Sequence, residues 1–354
     1  MPARQRPRRS FRGQLAMSRT RVMVLGPGWV AGEHIKGYCR DPRAELVAVV
    51  GFRPEDAARC EAYRREFGFA GRYYDNLPQA LAESGAQAAS VCTINHMHFA
   101  NAVAAAEAGL HVFCEKPLAL TEEQLDTLVE TAARRQVVTH VGHVVRWYSA
   151  IAALKRKVEA GLFGRLYYGE ADYFHQYLGD WKTKAATGGS TWLMGGIHAL
   201  DLLLHFMGYD APVAEVYGVW QPAQWRTDFD YETASCAILR FADGRIGKVA
   251  TDAESNLPYT FRLHLHGTKG GIHQALYHTH DLPPKQWARQ EGHYPDDWHV
   301  AEHPFPAEIS YFLDCIQRGS DSELSFARAA KAYHLLFAIE RSARTGRPVK
   351  FARN

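Results

Sequence analysis

The residues Gly26-Pro27-Gly28-Trp29-Val30-Ala31 spell G-x-G-x-x-A between an apolar run and a helical stretch. Gly26 permits a tight turn. Gly28 has no side chain to hold a pyrophosphate away from the backbone. Trp29 and Val30 open the helix, whose N-terminus attracts phosphate, and Ala31 lets helix and strand pack closely. A dinucleotide is the expected ligand. At the end of the next apolar run such folds usually place an acid against the adenosine ribose; here stands Gly51-Phe52-Arg53. Without that carboxylate a 2′-phosphate is not repelled, and Arg53 is available to pair with it. NADP is therefore expected slightly ahead of NAD. The plainer reading of Arg53 is a solvated surface arginine.

These residues need a scaffold, and the first half of the chain supplies one. Val22–Leu25, Leu46–Val50, Ala88–Cys92, His111–Cys114 and Val137–Val141 are continuous apolar runs separated by helical stretches. That alternation predicts a parallel sheet covered on both faces, a doubly wound Rossmann domain over 19–142. After residue 142 the pattern changes. Leu166–Tyr173, Ala237–Phe241 and Phe261–His266 alternate and carry aromatic residues, and Asp243-Gly244 marks a hairpin. These predict an α+β domain over 143–354 with an open, mainly antiparallel sheet, closed by helices near 307–316 and 326–345.

Composition narrows the function classes. The chain has 354 residues, 47% hydrophobic and 22% charged, in line with a globular protein of two domains. No apolar stretch reaches the roughly 18 residues of a spanning helix, so no membrane partner is expected. The net charge of +3 comes from Arg4, Arg6, Arg8, Arg9 and Arg12; without them 36 basic residues face 38 acidic ones, −2. A nucleic-acid surface is not expected. Residues 1–18 are read as a disordered basic tail. The six cysteines form no CxxC pair and read as reduced thiols in a cytoplasmic protein. Residues 264–303 hold eight of the eighteen histidines, without metal-ligand spacing; a loop bordering the active site is expected there, and no metal.

Asn95-His96-Met97-His98 followed by His111-Val112-Phe113-Cys114-Glu115-Lys116-Pro117 makes the reading specific. With the glycine turn, Val141-Gly142-His143 and Arg146, Gly161–Gly164, Gly188-Gly189-Ser190, Gly196–Asp201 and Ser342–Val349, the chain resembles the Gfo/Idh/MocA family of NAD(P)-dependent sugar and polyol oxidoreductases. The likeness runs from about 20 to 354. It implies that Glu115 and Lys116 line the nicotinamide ribose, that Asn95 contacts the cofactor, and that His198 and Lys116 are catalytic. The chemistry agrees: alcohol oxidation needs a proton acceptor such as a neutral imidazole, and a fixed ammonium stabilises the forming alkoxide. Asp201, one turn after His198, is expected to orient the imidazole or touch substrate, with structural pairing as the alternative. Where many members carry an Asp four residues before the histidine, this chain has Met194. Asp180 or Asp201 would substitute, or His198 and Lys116 act alone.

The segment 172–182 precedes the histidine helix. Aromatic faces stack on sugar C–H surfaces, which makes His175, Tyr177, Trp181 and Lys182 candidate substrate contacts. The expected function is hydride transfer between NAD(P) and a sugar, sugar derivative or cyclitol. The alternatives are a hydrolase that oxidises its sugar transiently and a non-catalytic NADP-binding regulator, which Met194 favours. A homodimer or homotetramer is expected, because an open aromatic sheet face needs a cover.

Overall fold

The computed structural model describes residues 19–295 and 303–351. The basic tail expected over 1–18 lies outside the described residues. The apolar runs become β1 (Thr20–Leu25), β2 (Ala44–Val50), β3 (Arg72–Tyr74), β4 (Ala88–Val91), β5 (His111–Glu115) and β6 (Thr139–Gly142). They form one sheet in the order β3-β2-β1-β4-β5-β6, every pairing parallel. Val22, Val24, Val49, Val112 and Phe113 are fully buried, because helices cover both faces. Those helices are α1 (Trp29–Arg40), α2 (Asp56–Phe67), α3 (Leu77–Glu83), α4 (Asn95–Glu107) and α5 (Glu122–Arg135). Strand order reverses between β1 and β4, which opens a crevice at the carboxyl ends of the strands. The sequence pattern did not show β3 and α3, since three residues are too few to carry a period.

Beyond Gly142 come α6 (Ser149–Glu159), β7 (Leu166–Phe174), α7 (Ala185–Gly188) and a π-helical turn, Trp192–Gly196, that runs into α8 (Ile197–Met207). The chain continues through β8 (Val213–Gln221), β9 (Ala234–Phe241), β10 (Ile246–Asp252), β11 (Thr260–Gly267), β12 (Gly270–His273), β13 (Leu276–Thr279) and β14 (Ala288–Arg289). It closes with α9 (Phe305–Arg318), α10 (Phe326–Thr345) and β15 (Val349–Lys350). The second sheet runs β14-β13-β12-β11-β7-β10-β9-β8-β15 and is antiparallel except between β7 and β10. Asp243-Gly244 does turn β9 into β10, with Gly244 at φ +85°.

One face of this sheet packs on α8. Gly169 of β7 lets the helix lie close there, because a Cβ would come within 2.9 Å of the Leu203 side chain and force it to shift. On the other face Tyr217, Val219, Ile238 and Ile246 stand exposed around Lys248, which Asp172 holds at 2.6 Å. Helix α9 returns to the first sheet. Its Phe312 meets Phe113 edge-on at 5.5 Å, and Ile309 lies where a Cβ on Gly37 would be. Helix α10 spans the two halves: the Leu118 N–H donates to the Tyr333 hydroxyl at 3.2 Å, and the Tyr333 ring stacks on His143. The cleft between the sheets is therefore braced from behind by the C-terminal helices.

Candidate active site

A cleft of about 700 Å³ runs from the glycine turn to the start of α8. Gly26 at its floor has φ +77°, and a Cβ there would fall 2.7 Å from Thr93 Cα, so the turn demands glycine. A Cβ on Gly28 would meet nothing nearer than the Gly26 carbonyl at 3.9 Å. The space above Gly28 is thus left open by the protein, as a pyrophosphate needs. Helix α1 starts at Trp29 with no side chain capping its first N–H groups. Those donors and the helix dipole point into the cleft mouth, so the cradle fits a dinucleotide. Trp29 and Val30 line the cleft, whereas Ala31 is buried beneath it in the contact between α1 and the sheet.

At the adenosine end a Cβ on Gly51 would strike the Tyr73 hydroxyl at 2.2 Å and Asp56 Cβ at 2.8 Å, so no acid fits at that position. Asp56 supplies a carboxylate nearby, but it is buried and engaged. Its Oδ2 accepts from the backbone N–H groups of Phe52 and Arg53, and its Oδ1 accepts from the Arg53 guanidinium at 3.1 Å. Arg53 also meets Glu55 at 3.3 Å, yet stays 40% exposed at the cleft edge beside Arg59.

Asn95 opens α4 and lines the cleft, with its Nδ2 donating to the Gly188 carbonyl at 2.8 Å and to Met194 Sδ at 3.2 Å. Glu115 ends β5. Burial alone would raise its pKa, but the His34 hydrogen bond at 3.0 Å and the neighbouring Lys116 charge hold it below the usual carboxylate range. Its carboxylate lies against Gly142, where a Cβ would fall 2.6 Å from Oε1. His34 is fixed in turn by Ser90, whose hydroxyl also meets Tyr38. Sequence reading missed His34, because a histidine inside a helix carries no local signal of a partner 81 residues away.

Lys116 follows, and its Nζ donates to the Met194 carbonyl at 2.6 Å. Burial pushes its pKa down to about 8, opposed by Glu115 and reinforced by Lys182. Tyr177 donates to the same Met194 carbonyl at 2.9 Å. Backbone at the π-helical turn therefore receives the lysine at the position where an Asp was missing.

His198 lies one residue into α8, buried, with its ring 5.3 Å from that of Tyr173. Burial and then the Lys116 charge drive its pKa well below the histidine range, so the imidazole is neutral. Its Nδ1 has no hydrogen-bond partner among the described residues. His175, Tyr177, Trp181 and Lys182 all line the same end. His303 does too, its pKa pushed down to about 4 by burial and Lys116. Of the histidine-rich stretch expected to border the site, His303 reaches the cleft, while His264 and His273 pair across β11 and β12.

Asp201 departs from the expected orienting or substrate role. It is 2% exposed, takes Arg146 on both oxygens at 2.7 and 2.6 Å, and also meets Tyr209 and His143. Oδ2 takes the Arg146 Nε and Oδ1 the other three partners, so Asp201 pairs structurally and does not line the cleft. Asp180 is exposed and also absent from the lining.

Comparison with known proteins agrees with this geometry. Residues 20–143 match a family model described as an oxidoreductase family with an NAD-binding Rossmann fold, and residues 151–273 match the GFO/IDH/MocA C-terminal domain. The chain is 32% identical to D-glucoside 3-dehydrogenase of Escherichia coli over 70% of its own length and 74% of that protein's. It is 27% identical to levoglucosan dehydrogenase of Pseudarthrobacter phenanthrenivorans over 72% and 73%. Among solved structures it shares the fold of GenD2 from gentamicin A biosynthesis, in complex with NAD, at a TM-score of 0.81, 23% identity, and coverage of 97% and 99%.

Proposed function

Since this chain belongs to the Gfo/Idh/MocA oxidoreductase family, we propose that it interconverts a secondary alcohol and a ketone on a ring carbon of a sugar, sugar derivative or cyclitol, with NAD(P) as hydride carrier. The observation that carries this reading is the meeting of Lys116 and His198 in the cleft that also holds the glycine turn. Residues 19–142 hold the dinucleotide in this reading, and 143–354 supply the substrate groups. When bound, the nicotinamide supplies a hydride acceptor or donor. Lys116 holds the substrate oxygen with its ammonium and stabilises the alkoxide as the C–H electron pair leaves. His198, already neutral, takes the hydroxyl proton and returns it in the reverse direction. Glu115, fixed by His34, orients the ribose, and Tyr177 and Trp181 present ring faces to the sugar.

NADP is favoured over NAD, since two exposed arginines, Arg53 and Arg59, flank the adenosine end while Asp56, its one lining acid among the described residues, is buried and engaged. The open face around Tyr217 and Ile238 would be covered by a second copy, giving a homodimer or homotetramer. All six cysteines are free thiols, which suits the reducing cytoplasm. No observation favours the hydrolase. The regulator loses its motive, because the Met194 carbonyl engages Lys116 without an Asp.

The test is absorbance at 340 nm with purified protein, NAD or NADP, and a panel of sugars and cyclitols. Turnover abolished in Lys116→Ala and His198→Ala is expected. No turnover with any pair, or an unaffected rate in Lys116→Ala, would overturn the reading.

A further inference from the structure

The substrate end of the cleft is built from bases. Lys116, His175, Lys182, His198 and His303 line it. Among the described lining residues the acids are Asp56 and Glu115. Asp56 is engaged at the adenosine end by Arg53 and two backbone N–H groups, and Glu115 by His34. Neither is free to face a substrate. Lys182 has no carboxylate partner among the described residues; its Nζ lies 5.7 Å from the Trp181 ring centre. It is near enough to Lys116 and His175 to disfavour the protonated form of both. His303 adds a buried Nε2 with no hydrogen-bond partner among the described residues.

A hydroxyl-only sugar would fit such an end poorly. The neutral imidazoles can accept its hydroxyl protons, but it answers the Lys182 ammonium with uncharged oxygens alone. Lys116 has Glu115 beside it, but Lys182 has no such counter-charge among the described residues, so it repels Lys116 and costs desolvation. A ligand that brings its own negative charge removes both problems, and supplies acceptor oxygens for Lys182 and for the imidazole N–H groups. Lys116 is committed to the reacting oxygen, so one fixed charge, Lys182, remains for the anion. Among the described residues no arginine lines this end to supply the guanidinium fork best suited to a dianionic phosphate.

We propose that the substrate is a sugar acid, whose carboxylate is held by Lys182 together with His175 and His303 while its ring carbinol faces Lys116 and His198. The proposal rests on the oxidoreductase reading and narrows its substrate class. It also assigns Lys182 the choice between acidic and neutral sugars.

The experiment uses the cofactor-loaded protein with matched pairs, glucose against glucuronate and galactose against galacturonate, and glucose 6-phosphate as a separate arm. Two readouts run in parallel: initial rates at 340 nm, and binding by calorimetry. The acid member is expected to be favoured by about 10- to 100-fold, the worth of one charge-assisted hydrogen bond. The preference should shrink as salt rises and collapse in Lys182→Met. Equal or better binding of the neutral member, or a preference unchanged in Lys182→Met, would overturn the proposal. Phosphate favoured over carboxylate would overturn the assignment of a carboxylate. Turnover of neutral sugars alone defeats this inference and leaves the oxidoreductase reading standing. Acid-selective binding without any turnover defeats that reading and supports the anion site.

Discussion

Lys116 should give the enzyme an alkaline limb of activity close to neutrality. Its pKa is pushed down to about 8, chiefly by burial, with Glu115 opposing and Lys182 adding to the fall. The useful form is the ammonium, because only that form stabilises an alkoxide. Activity is therefore full below the pKa and lost as pH rises through it. With a midpoint near 8, about a tenth of the plateau in kcat/KM remains at pH 9, since each unit above a pKa costs tenfold. His198 adds no limb in this range: burial and the Lys116 charge hold it neutral. Lys116→Met should remove the limb and lower kcat by about 10²- to 10³-fold, the usual cost of one oxyanion donor. Lys182→Met, assayed with a neutral sugar, should move the limb upward by removing a like charge. The assay is initial rate at 340 nm from pH 6 to 10, at constant ionic strength and saturating cofactor. A flat or rising kcat/KM between pH 7 and 9.5, or a limb that survives in Lys116→Met, would refute this account of the lysine.

Other consequences follow from the same geometry. Gly28→Val should leave the apo protein folded, because its Cβ meets open space, and should weaken dinucleotide binding at least about tenfold in a fluorescence titration. Gly26→Ala should instead lower unfolding stability by about 1–3 kcal/mol in urea, since φ +77° and the Thr93 contact both resist a side chain. Asp201→Ala leaves the Arg146 guanidinium buried without its partner and should cost about 3–5 kcal/mol; a loss under about 1 kcal/mol would show that Asp201 is not the structural anchor described. His34→Gln should raise the Glu115 pKa, because His34 provides the stabilising hydrogen bond. The group is needed ionised, so activity in the variant should fall away at a higher pH on the acid side than in the parent.

Much of this protein was legible before folding. Continuous apolar runs predicted the parallel sheet because burial on both faces removes alternation. The glycine turn was legible because its constraints are local: a positive φ at Gly26 and an empty space above Gly28 need no distant partner. The motif resemblance also implied that Lys116 and His198 share one cleft, and both line it. What stayed hidden was every contact between residues far apart in the chain. His34 and Glu115 are 81 positions apart, and Arg146 and Asp201 are 55 apart. For Asp201 an orienting, a substrate and a structural reading all stayed open, because helix spacing fixes which face a residue shares but not what packs against that face.

The sequence by itself determined the sheet type, the dinucleotide turn and the residue types at the reacting end, since these depend on periodicity and local backbone geometry. Tertiary structure alone decided that the Met194 carbonyl receives Lys116, that Asp201 belongs to Arg146, and that His303 joins the site. Those outcomes depend on which surfaces meet when α8 and α9 close against the first sheet, and no single segment carries that information.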